Sequence, residues 1–166
     1  YESSSGISDR IVEPYYFKPS INAIVAFDLD KNSNREFKIN RFHKIEIIDK
    51  KWKNESKHLA NPRTDIFHIM ESENQKGTKI VLEFDNYVKN LLFEEFPDAK
   101  RLEESPKSGE RIFLVDKETG KWRLETTVFS YAGITRFYLG LAHRITIVEG
   151  DQLKEHIRKY ISSINV

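Results

Sequence analysis

The sequence predicts a β module at residues 1–50 and an α+β domain at residues 77–166, with a connector at 51–76 between them. The first part contains short β-branched and aromatic runs separated by turn residues, a pattern typical of small barrels and strongly bent sheets. The last part alternates strand-like and helix-like runs in the order βαββαβ, which is typical of a ferredoxin-like domain. An apolar fraction of 39%, with 12% aromatic residues, is sufficient for packed cores.

Four strands are predicted in the β module. Residues 10–17, RIVEPYYF, form the first strand, and Pro14 places it at an edge of the sheet. Residues 22–30, NAIVAFDLD, form a compact apolar strand that ends in the turn residues KNSN. Residues 35–39, REFKI, return as the second arm of a hairpin, and residues 43–48, HKIEII, form the last strand.

The connector is predicted from composition. Residues 49–65 are charged and contain Pro62, so they favour irregular structure. Residues 66–72, IFHIMES, predict a short helix within the connector. The turn-rich run ENQKG at 73–77 then marks the boundary of the C-terminal domain.

The C-terminal domain is predicted from strand-like and helix-like runs that alternate along the sequence. Strand patterns occur at 79–84, 111–116, 122–128 and 144–149. The first helix is capped by Asp85 or Asn86 and ends before Pro97. Its apolar side is formed by Val88, Leu91, Leu92 and Phe96. A second helix covers 134–142, and a final helix starts at Gly150 and Asp151.

Composition excludes several classes of partner and site. The sequence has 27 lysines and arginines against 26 acidic residues and a formal net charge of +1, so only a local patch can attract a polyanion. It contains no cysteine, which excludes disulfides, thiolate metal sites and a cysteine nucleophile and suits a reducing compartment. No apolar run reaches the roughly 18–20 residues that span a bilayer.

The sequence contains none of the common enzymatic motifs. Its five histidines show no spacing typical of a zinc site. Residues 28–34, DLDKNSN, begin like a calcium loop, but Ser33 stands where that loop needs glycine and Ile39 where it needs glutamate. We therefore predict no metal, no cofactor and no enzymatic activity. An enzyme acting on nucleic acid is a disfavoured alternative, because carboxylates and ligating histidines are not clustered.

Positive charge is concentrated between residues 31 and 53, where eight lysines and arginines face three acidic residues, a local net charge of +5. Within this stretch, Arg35 and Arg41 share the odd-numbered alternation of the apolar Phe37 and Ile39. A strand would therefore direct both arginines to the side that carries core residues.

Two interpretations of these arginines stay open. A guanidinium holds a phosphate through two parallel hydrogen bonds, so the arginines can form an anion site near tyrosines that offer stacking faces. Alternatively, they brace the sheet through ion pairs with Glu13, Asp28 or Glu36.

Four short runs, in this order, resemble the WYL domain. They are RIVEPY at 10–15, VAFD at 25–28, REF at 35–37 and INRF at 39–42. Residues 77–166 are similar to the extension domain that commonly follows a WYL domain, through their βαββαβ order and the run HRITIVEGDQLKEHIRKYI. The name-giving tryptophan-tyrosine-leucine triplet is replaced here by Asn22, Ala23 and Ile24, and an aspartate of the family by Asn40.

The resemblance implies an Sm/SH3-like β-barrel followed by a ferredoxin-like domain. It also implies a cytoplasmic, bacterial transcription regulator that forms a homodimer. A winged helix-turn-helix segment would precede Tyr1 and bind duplex DNA.

The family resemblance further implies that the barrel senses a nucleotide or single-stranded nucleic acid. The expected ligand contacts are Arg10, Arg35 and Arg41, with Tyr15, Lys38 and His43 as secondary candidates. The alternative function is an interaction or dimerisation module that has lost its ligand. Asn22 and Ala23 favour this alternative, because large aromatic residues are missing there.

Overall fold

The structure is a computed structural model that describes residues 1–72, 76–106 and 109–164. The chain divides into two compact units, residues 1–63 (unit 1) and 64–166 (unit 2), so residues 64–76 of the predicted connector belong to unit 2. Residues 73–75 of the boundary predicted at 73–77 lie outside the described residues. Antiparallel sheets and α-helices together give the mixed class predicted from the sequence. None of the helices in the described ranges is long and apolar enough to cross a membrane.

Unit 1 consists of two antiparallel sheets. A two-stranded sheet pairs β1 with β2, and a three-stranded sheet has the order β3-β4-β5. The strands are β1 (Glu2–Ser3), β2 (Gly6–Ile7), β3 (Val12–Lys18), β4 (Ala23–Asp28) and β5 (Ser33–Lys38). The predicted strands at 10–17, 22–30 and 35–39 therefore form, with ends shifted by a few residues.

The register of the three-stranded sheet defines its two faces, because directly paired residues of an antiparallel sheet point to the same side. A bulge between Pro14 and Tyr16 lets Phe17 pair with Ile24 and Ile24 with Phe37. We call one side the arginine face; it carries Pro14, Phe17, Ile24, Ala26, Asp28, Arg35 and Phe37. We call the other side the clasp face, because Glu13 on this side binds the later residues Lys53, Asn54 and His58. This face carries Glu13, Tyr16, Lys18, Ala23, Val25, Phe27, Asn34, Glu36 and Lys38.

The turn between β4 and β5 is fixed by Asp28. Its Oδ1 accepts hydrogen bonds from Asp30 N (3.0 Å) and Lys31 N (3.1 Å). Asn32 then adopts a φ of 47°, a left-handed conformation that asparagine tolerates. The polar run that begins like a calcium loop is therefore the tip of a hairpin.

The predicted strand at residues 43–48 is wrong. These residues pair with no strand in the part of the chain that the structure describes, and Ile45 and Ile47 are 70% and 98% exposed. A strand pattern specifies one face of a segment but does not supply a neighbouring backbone. Here β5 ends at Lys38 and the chain turns through a 3₁₀ helix at Ile39–Arg41, so the following segment leaves the sheet.

Unit 2 contains a four-stranded antiparallel sheet with the order β7-β8-β6-β9. The strands are β6 (Thr78–Phe84), β7 (Arg111–Asp116), β8 (Lys121–Val128) and β9 (Ile145–Glu149). The helices are α1 (Asn86–Glu95), α2 (Arg101–Glu104), α3 (Tyr131–Leu141) and α4 (Asp151–Ser162). Each predicted strand and helix of this region is present, and Asp85 caps α1 by accepting a hydrogen bond from Val88 N (3.0 Å).

The core of unit 2 lies between one face of this sheet and the helices. Strand β6 contributes Ile80, Leu82 and Phe84, which alternate along the strand. The helices contribute Val88, Leu92, Ile134, Phe137, Leu153 and Ile157. Of these residues, Val88 and Leu92 belong to the apolar side predicted for the first helix.

The short helix predicted at residues 66–72 is also wrong. Asp65 Oδ1 accepts hydrogen bonds from Phe67 N (3.0 Å) and Ile69 N (2.9 Å), which closes a tight loop in place of a helical turn. Thr64 and Met70 pair across the loop in an isolated β-bridge. The aspartate before the apolar run thus captures the backbone donors that a helix would have used.

Gly133 allows α3 to approach this loop closely. A β-carbon at this position would lie 2.6 Å from Phe67 Cβ and 3.2 Å from its carbonyl oxygen. Because neither atom can rotate away, Gly133→Ala is expected to lower the free energy of unfolding by about 2–3 kcal/mol, measured by urea denaturation.

Gly140→Ala is the matched control on the same helix. A β-carbon there would meet nothing within 4 Å. The gain in helix propensity is expected to leave stability unchanged or raise it by about 0.5–1 kcal/mol. Equal stability of the two variants would contradict the close-approach argument.

Candidate anion-binding site

Arg35 is presented by β5 on the arginine face, two residues before the buried Phe37. Arg35 and Phe37 therefore lie on the same side of the strand, as predicted from the sequence. Arg35 is exposed, and within the described ranges its side chain makes no hydrogen bond or ion pair. All five of its N–H donors are therefore available to a ligand.

Arg10 lies at the end of the arginine face that carries Asp28. Its Nε donates to Ser8 Oγ (3.1 Å), and its Nη1 is 3.6 Å from Asp28 Oδ2. Asp28 is a diagonal neighbour of Arg35 in the register, at about 7–8 Å between Cα atoms. The sheet therefore brings Arg10 and Arg35 to the same region of one face.

The ion pair leaves Arg10 with unused donors. Asp28 Oδ2 is buried and accepts no hydrogen bond within the part of the chain that is described. The contact positions the guanidinium by charge, and only Nε is engaged in a hydrogen bond. Arg10 is thus held in place while its remaining N–H groups can donate to an anion.

Arg41 belongs to the 3₁₀ helix that follows β5, so the strand alternation predicted for it is wrong. Ile39 N donates to Asn22 O (3.0 Å) and Phe42 N to Ile39 O (3.1 Å), which turns the chain here. The next residue, Phe42, packs on Tyr1, and Tyr1 packs on Phe37 with ring centroids 5.0 Å apart. Arg41 therefore lies beside an aromatic cluster that covers Phe37, and it has no polar partner in the described chain.

The secondary candidates lie elsewhere in unit 1. Lys38 is on the clasp face, and its backbone N donates to the Tyr1 hydroxyl (3.2 Å). His43 Nε2 is exposed and 3.1 Å from a carboxylate oxygen of Glu2. Tyr15 donates from its hydroxyl to Asn34 Oδ1 (2.9 Å) and stacks on His58 at 4.3 Å. The structure does not bring these three side chains together with Arg35.

Sequence reasoning missed the cluster around Glu13. The buried Glu13 carboxylate accepts hydrogen bonds from Lys53 N (2.8 Å), Asn54 N and Asn54 Nδ2 (both 3.1 Å) and lies 3.1 Å from His58 Nε2. We call Glu13, Tyr15, Trp52, Asn54 and His58 the clasp, because these residues fix residues 52–58 to the sheet. A carboxylate within the apolar run of β3 was the available signal.

The pKa of Glu13 reports the balance of forces in the clasp. Burial raises the pKa of this carboxyl, but the hydrogen bonds from Lys53, Asn54 and His58 outweigh burial and hold the pKa below its usual value. Glu13 is therefore a charged structural anchor, and its oxygens are fully engaged by these donors.

The arginines of unit 2 are neutralised by neighbouring acids. All six of its arginines have an acidic partner: Arg101–Asp98, Arg111–Glu125, Arg123–Glu83, Arg136–Glu95, Arg144–Asp85 and Arg158–Glu155. A depression of about 210 Å³ in this unit contains Lys121 and Arg144. Lys121 lies 3.6 Å from Glu83, and Arg144 lies 2.5 Å from Asp85. The unpaired arginines identified above therefore belong to unit 1.

Metal ligands are not grouped in the described ranges. Among those residues, no three histidine, aspartate or glutamate side chains lie close enough together to hold a metal ion.

Comparison with solved structures gives distant similarities. No family model and no curated protein match the chain. The chain is similar to the proteasome accessory factor B/C (PafBC) of Arthrobacter aurescens at 16% identity and a TM-score of 0.35, over 93% of this chain. It spans 22% of the length of that protein.

Proposed function

We propose that this chain is the ligand-sensing and oligomerisation region of a bacterial transcription regulator. Unit 1 would be a WYL-like module of the Sm/SH3 type, supported by the order of the four runs that resemble the family. Unit 2 would be a ferredoxin-like extension, supported by its strand order β7-β8-β6-β9 with all neighbours antiparallel. The ligand is anionic, a nucleotide or single-stranded nucleic acid.

The contrast between the arginines of the two units carries this proposal. In unit 2 each arginine has an acidic partner, whereas Arg35 and Arg41 in unit 1 have none in the described chain. An unpaired guanidinium beside a preorganised one, Arg10, is suited to bidentate binding of phosphate. Against the bracing interpretation, Glu13 is engaged in the clasp, Glu36 pairs with Lys18 at 3.1 Å, and Asp28 pairs with Arg10 at 3.6 Å.

Ligand binding would act on a homodimer by favouring one arrangement of the two protomers. A difference in affinity worth about 1–3 kcal/mol between the two arrangements is sufficient for a useful response. The second candidate function is an interaction module without a ligand. The exposed side chains of Ile45, Ile47 and Ile48 favour this candidate, because they offer apolar surface to a partner.

The double variant Arg35→Ala/Arg41→Ala tests the site. We expect at least about tenfold weaker binding of a labelled single strand, and a salt dependence reduced by about 1.4 in slope if both arginines neutralise phosphates. Fluorescence anisotropy across a salt series measures both quantities.

The matched control is Arg136→Ala/Arg158→Ala, which removes the same charge from exposed, acid-paired positions of unit 2. It is expected to bind like the wild type. The proposal fails if the wild type binds no strand at low salt, or if the two double variants lose equal affinity.

A further inference from the structure

An exposed aromatic side chain lies on the arginine face. Phe17 is 52% exposed, although its row partner Phe37 is buried beneath Tyr1 and Phe42. The neighbouring Tyr16 is 42% exposed but lies on the clasp face, where it pairs with Val25. A large aromatic ring in water is unfavourable unless something covers it.

The register gives the spacing between this ring and the arginines. Phe17 lies on β3 and Arg35 on β5, so two strand spacings of about 5 Å each separate them. Along the strands, the pairing row of Phe17 and the row of Arg35 are about 7 Å apart. An arginine side chain and an aromatic ring at this distance fit neighbouring nucleotides of one strand.

We propose that Phe17 is a base-stacking residue and that the ligand is single-stranded nucleic acid. This inference rests on the function proposed above and specifies its ligand. A base lies on the ring of Phe17 while the phosphate of a neighbouring nucleotide is bound by Arg35 and Arg10. Stacking suits this position because every base has an aromatic face, and an exposed phenyl ring offers no hydrogen bond that would select one base.

The ring also distinguishes among anionic ligands. Inorganic phosphate and a strand without bases gain nothing from Phe17, because both can use only the arginines. A strand with bases uses the arginines and the ring together. Removing the ring is therefore expected to weaken binding only for the strand that has bases.

The test measures anisotropy for Phe17→Ala with a labelled oligothymidine and with an abasic strand of equal length. We expect the variant to bind oligothymidine about tenfold or more weakly and the abasic strand like the wild type. The salt dependence is expected to be unchanged, because no phosphate contact is lost.

Two further variants make the test specific. Phe17→Leu keeps an apolar side chain without an aromatic face, and it is expected to lose the same affinity as Phe17→Ala. Tyr16→Ala removes a ring of similar exposure, 42% against 52% for Phe17, from the opposite face, and it is expected to leave the affinity for both strands unchanged.

The outcomes separate this inference from the proposed function. If the wild type binds neither strand, the proposed function fails. If both strands bind but Phe17→Ala loses nothing, or loses equally on both, stacking is overturned while the arginine site stands. Stacking would also be overturned if Phe17→Leu bound oligothymidine as tightly as the wild type. The same holds if Tyr16→Ala lost as much affinity for oligothymidine as Phe17→Ala.

Discussion

Replacing Glu13 by glutamine is expected to lower the stability of unit 1 by about 3 kcal/mol, because a buried, hydrogen-bonded carboxylate loses half of its acceptors. Each carboxylate oxygen has two donors, from Lys53 and Asn54 on one oxygen and from Asn54 and His58 on the other. The glutamine amide would turn its NH₂ group toward one of these pairs of donors. Two buried N–H groups would then face a third donor in place of an acceptor. Residues 52–58 are expected to detach from the sheet first.

The chain contains a matched reporter for this measurement. Its two tryptophans are divided between the units, and Trp52 contacts His58 of the clasp with ring centroids 5.1 Å apart. In a Trp122→Phe background, urea denaturation followed by tryptophan fluorescence therefore reports on unit 1. Glu46→Gln changes an exposed carboxylate that pairs with Lys44, and it is expected to change stability by less than about 0.5 kcal/mol. Equal stability of the two glutamine variants would contradict the role of the clasp.

The pKa of Glu13 sets the direction of the pH dependence. Its pKa in the folded protein lies below the usual value of 4.5, so the ionised form is favoured by folding. Its contribution to stability is therefore present above pH 4.5 and is lost as the pH falls through the lower value of the folded state. The stability difference between wild type and Glu13→Gln is expected to narrow on acidification.

The sequence predicted those elements whose signals are local. Helix α1 has an aspartate cap before it and a proline after it, and β7 and β8 are joined by a turn that contains Gly120. Each signal is contained within the element, so the pattern was sufficient. The alternation of β5 likewise placed Arg35 on the same side as Phe37.

The sequence could not predict features that depend on distant partners. Glu13 binds donors 40 to 45 residues away, in a connector that has no periodicity. Residues 43–48 have a strand pattern, but in unit 1 no adjacent edge pairs with them among the described residues. Arg41 does not follow the strand alternation predicted for it, because β5 ends at Lys38 and a 3₁₀ helix begins there. In each case, tertiary structure decided between conformations that the local sequence allows.

Replacing Asp65 by alanine is expected to have the largest effect on unit 2, a loss of about 3–5 kcal/mol in the free energy of unfolding. Asp65 is buried, and its second oxygen accepts a hydrogen bond from Phe129 N (2.8 Å), 64 residues away. Its first oxygen binds the donors of Phe67 and Ile69. Alanine would remove the side-chain acceptor of three N–H groups and would release Phe67, whose ring packs on Phe96 with centroids 5.2 Å apart.

Trp122 reports on this unit in a Trp52→Phe background, again by urea denaturation. Asp98→Ala removes an acid whose partner Arg101 is exposed, and it is expected to cost less than about 0.5 kcal/mol. Asp65→Asn keeps one oxygen for the loop but turns an amide toward Phe129 N, so an intermediate loss is expected. An alanine variant as stable as Asp98→Ala would refute the anchoring role.

The pH dependence of Asp65 is expected to be opposite to that of Glu13. Burial raises the pKa of Asp65 above its usual value of 3.8, the negative charge of Glu110 adds to this, and the three hydrogen bonds only partly offset it. Its contribution to stability is therefore greatest below pH 3.8 and is lost as the pH rises through the higher folded value. The stability difference between wild type and Asp65→Asn is expected to widen on acidification. The stability difference between wild type and Glu13→Gln is expected to narrow. The two carboxylates hold similar sets of donors, so opposite trends would show that desolvation dominates at Asp65 and hydrogen bonding at Glu13.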